Sequence, residues 1–215
     1  MNNSDLVEKL KTDGFLKTPA IISAFQKIDR ADFVLPQYSN EPYEDYPLPI
    51  GHGQTISQPA TVAFMLELLQ PKNGEKILDM GAGSGWTTAL LAEIAGDNGS
   101  VFGLEIIPEL VEFGKNNLGK YNFKNAEILL AGRPAATLAP AGEKLGLPSK
   151  APFDKILVSA AAEEIPQELT AQLKIGGGGI MVVPIKNSIF KITRITKDKF
   201  QAEEFSGFVF VPLIH

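Results

Sequence analysis

The chain has 215 residues, enough to bury a substantial core, and its 44% hydrophobic and 21% charged residues are ordinary for a globular protein. A net charge of -5 without a dense Lys/Arg stripe leaves no electrostatic footprint for nucleic acid, which is therefore not an expected partner. The absence of cysteine excludes disulfides, thiol catalysis and thiolate metal sites.

The amino-terminal stretch MNNSDLVEKLKTDGF is polar and charged, and no later run is long enough to span a bilayer. A soluble cytoplasmic protein without a membrane partner is the expectation. Ser4 to Gly14 predicts a short amphipathic helix, with Leu6, Val7 and Leu10 on one face, Ser4 at its cap and Gly14 at its end. Thr18 to Ile28 predicts a second, begun by the Thr18-Pro19 pair and striped with Ile21, Ile22, Phe25 and Ile28. Phe25 and Phe33 read as core rather than cofactor contacts.

From Asp29 to Pro59 prolines and tyrosines accumulate, which predicts a loop-rich lead-in. It is either a connector packed by its tyrosines or a wall of a substrate cleft, and composition does not choose between them. Pro59 then suits the first turn of a largely apolar helix carrying Val62, Phe64, Met65, Leu66, Leu68 and Leu69. Ser57 could serve as its N-cap.

Lys76 to Trp86, KILDMGAGSGW, predicts a buried strand, a glycine turn and the start of a helix that runs to Gly96. That order presents backbone N–H groups to a polar ligand at the carboxyl end of a parallel strand. A dinucleotide fingerprint starting at Gly81 would need glycine where Trp86 stands. The text reads instead as an acid followed by alternating glycines: Asp79, Gly81, Gly83, Gly85. It resembles the first motif of the class I S-adenosyl-L-methionine (AdoMet) dependent methyltransferases, whose acid faces the methionine end of the cofactor. The next predicted strand, Ser100 to Ile106, delivers Glu105 about 20 residues on, where a carboxylate that grips ribose hydroxyls is expected.

A helix from Pro108 to about Tyr121 follows, packing through Leu110, Val111, Phe113 and Leu118 and turning Lys115, Asn116, Asn117 and Lys120 to solvent. Further strands are predicted over Ala126 to Ala131 and Lys155 to Ala161, a helix over Pro166 to Leu173, and a glycine turn at Gly176 to Gly179 into a strand at Ile180 to Ile185. Phe190 to Thr196 and Phe205 to Leu213 complete the set as a terminal pair that includes an antiparallel strand. The expected fold is α/β, a Rossmann-like, mostly parallel sheet with helices on both faces and an antiparallel C-terminal strand. It forms a single domain over 1–215, with 1–59 as the substrate-side lead-in and 60–215 as the cofactor-binding core.

EPYEDYPLPIGHGQTISQP, from Glu41 to Pro59, closely resembles the upstream signature of the protein-L-isoaspartate O-methyltransferase family, and IIPELVEFGKNNL, APFDKILVSAAAEEIPQELTAQLKIGG and FVPL extend the likeness. The resemblance implies an AdoMet-dependent enzyme that methylates the carboxylate of L-isoaspartyl residues in damaged proteins or peptides. Closure of the ester to a succinimide and reopening would then partly restore aspartate. It implies Ser57 as the active-site residue beside the AdoMet methyl and the substrate carboxylate, with Ile56 and Ser57 bordering the cofactor. The chain departs from the family where an acid contacts the adenine amine: here the text reads Gly132, Arg133, Pro134, and a guanidinium cannot accept that hydrogen bond. Gly132 and Arg133, the cofactor-binding candidates here, predict adenine recognition by backbone and apolar contacts or a weakened affinity, and the long stretch after them could form a lid.

The two histidines, His52 and His215, and the lack of any acid cluster at ligand spacing argue against a metal site or a nucleophilic triad. His52 reads as a polar aromatic lining the cleft. A carboxylate with a pKa of about 4 is already a nucleophile at neutral pH, so methyl transfer to it needs alignment rather than a strong base. The alternatives are a class I methyltransferase acting on another small acceptor and a non-enzymatic AdoMet-binding or protein-binding module. A monomer is the default expectation.

Overall fold

A computed structural model describes residues 1–131, 145–208 and 210. Chain order gives helices α1 (Asn3–Thr12) and α2 (Pro19–Lys27), then a hairpin of β1 (Leu48–Gly51) and β2 (Gln54–Ile56), and helix α3 (Pro59–Leu69). The core follows as β3 (Lys76–Met80), α4 (Trp86–Ala95), β4 (Ser100–Glu105), α5 (Pro108–Gly119), β5 (Ala126–Leu130) and β6 (Lys155–Val158). A short α6 (Gln167–Thr170) leads to β7 (Gly179–Ile185), β8 (Ser188–Arg194) and β9 (Phe200–Ser206).

The long strands form a seven-stranded sheet in the order β5-β4-β3-β6-β7-β8-β9. Strands β3 to β7 pair in parallel, and β8 runs against both neighbours. Alternate residues feed two cores: Ile77, Val101, Leu157 and Val182 face helices α1 to α5, while Leu78, Phe102, Ile156 and Val183 face Phe153, Leu169 and Leu173. The chain leaves β3 toward β4 and β5, then returns to lay β6 on the other side of β3. That reversal opens a crevice at the carboxyl ends of the central strands.

Several elements differ from their sequence expectation. Asn2, not Ser4, caps α1, accepting from the Asp5 N–H while the Asp5 carboxylate accepts from the Asn2 N–H. The lead-in contains 3-10 turns at Arg30–Phe33 and Pro36–Tyr38 besides the hairpin, whose two strands were too short to show an alternation. Asn117 is buried and donates to the Ser84 carbonyl at 3.0 Å, although the helical pattern put it in solvent. The last strand among the described residues begins at Phe200; the strand expected over Phe205 to Leu213 overlaps its end, and residues 209 and 211–213 of that range lie outside the described residues. The solvent-facing FQAEEFS of β9 hides an edge strand from any search for apolar runs.

The crossing of α4 and α5 depends on Gly85. Its φ is +85°, and a Cβ there would lie 2.9 Å from the Gly114 carbonyl oxygen and 3.2 Å from Ile128 Cδ1. Gly85→Ala therefore combines a left-handed strain with a backbone clash, and we expect it to lower unfolding stability by roughly 2 kcal/mol. Urea unfolding checks this: a lowered midpoint with an unchanged m-value is expected.

Candidate active site at the carboxyl ends of the sheet

The glycine turn leaves β3 with the Gly81 and Ala82 N–H groups both donating to the Leu104 carbonyl, which pins the turn to the end of β4. The next residue of β4 completes the attachment. Glu105 is buried; its Oε2 accepts from the Gly83 N–H at 3.0 Å, and its Oε1 accepts from the Ile106 and Ile107 N–H groups at 2.8 and 3.0 Å. A carboxylate has about four acceptor positions. Three are used here, and one remains for a hydroxyl presented from the cleft.

The hairpin closes over this turn from the opposite side. Ile50 of β1 comes so near that a Cβ on Gly83 would lie 3.2 Å from its Cδ1, which leaves a narrow slot between hairpin and turn. Ile50, Gln54, Thr55, Ile56 and Ser57 form one wall of the cleft, and the stretch from Met80 to Ser84 forms the facing one. Trp86 and Thr87, then Leu104 to Ile107, and Ser159 with Ala160 after β6 continue the lining along the carboxyl ends of the central strands. Counted with the solvent at its open mouth, the cleft holds about 1000 Å³ of space not filled by atoms.

Of the residues singled out from the sequence, Ile56, Ser57, Gly81, Gly83 and Glu105 meet in this lining. Asp79 and Gly85 stand behind it. Asp79 accepts from the Thr88 hydroxyl at 2.6 Å and so ties β3 to the first turn of α4, while Gly85 faces Gly114. Gly132 and Arg133 lie outside the described residues, as do Pro134 and His215. His52 sits exposed at the hairpin tip with φ +54° and is not part of the wall, because the turn aims its side chain to solvent. Ser57 does not cap α3: the Asp45 carboxylate accepts from the Ala60 N–H at 2.9 Å instead.

Sequence reasoning passed over Ile50, Thr55, Trp86 and Ser159, whose signal lay only in their proximity to motif residues. It also passed over Arg30. One end of the lining includes Ala131, Leu145 and Gly146. Gln172 clamps that strip, accepting from the Leu147 N–H at 2.8 Å and donating to the Leu145 carbonyl at 2.7 Å. Among the described residues no group of three or more His, Cys, Asp or Glu could hold a metal ion, and no helix is long and apolar enough to cross a membrane.

A family model for protein-L-isoaspartate(D-aspartate) O-methyltransferase matches residues 1–215. The protein-L-isoaspartate O-methyltransferase of Aeropyrum pernix is 42% identical over 97% of this chain and 78% of its own length; that of Methanopyrus kandleri is 39% identical over 97% and 89%. A solved Plasmodium falciparum protein-L-isoaspartate O-methyltransferase, in complex with S-adenosyl-L-homocysteine, is similar with a TM-score of 0.81. It is 27% identical, over 99% of this chain and 98% of that one.

Asp79 gives the site region a pH dependence. Burial pushes its carboxyl up to about 7; the Thr88 hydroxyl opposes the rise and the nearby Glu105 charge adds to it. Its Oδ1 finds no partner among the described residues. A carboxyl that holds its proton more tightly folded than unfolded costs stability as pH rises from about 4 through about 7. We expect wild-type stability to fall over that window by an amount on the order of a few kcal/mol, and Asp79→Asn to remove this part of the slope. Urea unfolding at pH 5 and pH 8 checks it: the stability of the variant relative to wild type should be higher at pH 8 than at pH 5.

Proposed function

The chain belongs to the protein-L-isoaspartate(D-aspartate) O-methyltransferase family, and we propose that it transfers the methyl group of AdoMet to the carboxylate of L-isoaspartyl residues in damaged proteins or peptides. The observation that carries this reading is the convergence of Ile56 and Ser57, the glycine turn and Glu105 on one cleft. Its residues fit AdoMet. The slot that a Cβ on Gly83 would narrow suits a flat group close to the backbone, and the remaining acceptor position of Glu105 suits a ribose hydroxyl. Bound there, AdoMet supplies an electrophilic methyl group on a sulfonium.

The chain's own residues do the rest by placement. The acceptor carboxylate is ionised at neutral pH and needs no proton removed. Ser57, half-buried in the wall, can donate its hydroxyl to that carboxylate and hold one oxygen toward the methyl group. Ile50, Ile56, Met80 and Trp86 make that part of the cleft apolar, which excludes water and strengthens the nucleophile. Asp79 acts from behind the turn by fixing α4 to β3 through Thr88. Gly81 and Gly83 let the backbone approach the cofactor, and Gly85 supports them through the helix crossing. Leu145 and Gly146, clamped by Gln172, are the adenine-side surface.

The same reading takes the chain as one methyltransferase domain over 1–215, with 1–59 forming the substrate side and 60–215 the cofactor side, working as a cytoplasmic monomer. Its acceptors are isoaspartyl peptides and proteins.

Labelled AdoMet offered with an isoaspartyl peptide, and in parallel with the same peptide containing normal aspartate, tests the activity. Selective labelling of the first is expected; no labelling of either with the cofactor bound would point to another acceptor or a binding role. Ser57→Ala should lower turnover by about 10- to 100-fold while leaving AdoMet binding within about threefold. Equal loss of both would make Ser57 a cofactor contact only.

A further inference from the structure

Arg30 is fully buried and lies in the 3-10 turn Arg30–Phe33, outside the cleft lining. Its guanidinium donates to four carbonyl oxygens: Nη1 to Pro42 at 2.6 Å and Glu44 at 3.3 Å, and Nη2 to Tyr46 and Ser57, each at 3.1 Å. All four belong to the segment that ends at the cleft. The same guanidinium lies 5.4 Å from the ring centroid of Trp86, which lines the facing side of the cleft. One side chain thus touches both walls.

No carboxylate comes within salt-bridge distance of this cation among the described residues. Burial lowers its pKa to about 10, with Asp45 and Tyr46 acting the other way, so it stays charged at neutral pH. Burying an unpaired cation is a costly way to hold a loop. What it supplies is a planar fork that fixes several carbonyls at set angles, which apolar packing cannot do.

The turn that carries it is itself anchored. The Asp29 carboxylate accepts from the Ala31 N–H and the Tyr43 hydroxyl, and Tyr121 past α5 accepts from the Asp29 N–H while donating to the Asp32 carboxylate.

We propose that Arg30 is a positioning residue for methyl transfer: by holding the Ser57 carbonyl in register with Trp86, it sets where the Ser57 hydroxyl meets the acceptor carboxylate. The inference rests on the reading of the cleft as a methyl-transfer site.

Arg30→Lys tests it, since lysine keeps the charge and most of the stem but loses the fork. In the variant we expect kcat to fall by about 10- to 100-fold, and the dissociation constant for S-adenosyl-L-homocysteine to stay within about threefold of wild type. Hydrogen exchange at the amides of residues 54–58 should be faster, and in a Ser57→Ala background the same change should have little further effect on kcat. A lowered melting temperature with unchanged kcat and unchanged exchange at 54–58 would overturn the proposal and leave Arg30 a staple. Should Arg30→Lys fail to fold, Tyr121→Phe loosens the supporting turn from outside the cleft. Slower turnover and faster exchange at 54–58 are again expected, and neither changing would again overturn it. The exchange measurement needs no turnover, so a wild type that labels no isoaspartyl peptide would defeat the proposed reaction while the test of Arg30 still reads.

Discussion

The cleft depends on one carboxylate. Glu105 gathers three backbone N–H groups, from Gly83 on one side and Ile106 and Ile107 on the other, and so welds the turn after β3 to the turn after β4. A buried carboxylate is stable only with such donors around it. The glycine turn in turn has no regular structure of its own and keeps its shape through these bonds and through those to the Leu104 carbonyl. The residue expected to hold a ribose is thus first a residue that builds the surface around it.

A similar economy governs the substrate side. The lead-in from Pro42 to Ser57 contains only a small hairpin, so its carbonyls need partners from elsewhere. Arg30 supplies several at once, Asp45 caps α3 in place of a local side chain, and Ile50 presses the hairpin onto Gly83. These long-range bonds let a proline-rich stretch act as a rigid wall.

The sequence disclosed what repeats with a short period or sits in a motif. Strands β3, β4 and β6 and helix α4 are close to their expected ranges because they are buried on both faces and bounded by glycine or charged turns. Ser57 and Glu105 were legible through their motifs, and both line the cleft. The edge strand β9 was not, because a strand with most of its side chains in solvent lacks the apolar signal. Arg30 was not legible either. Nothing in the text Asp29-Arg30-Ala31 tells a buried guanidinium from a solvated one, since its partners are backbone carbonyls up to 27 residues away. Asp79 was read as part of a cofactor motif, and only its bond to Thr88 reveals its structural duty.

The account stands or falls on where the two reactants meet. A crystal structure with S-adenosyl-L-homocysteine and an isoaspartyl peptide would test this most directly. The account predicts the thioether sulfur between the hairpin and the glycine turn, a ribose hydroxyl on Glu105, and the isoaspartyl carboxylate against Ser57. A cofactor bound with Ser57 turned away from the carboxylate, or a peptide seated outside this cleft, would contradict it.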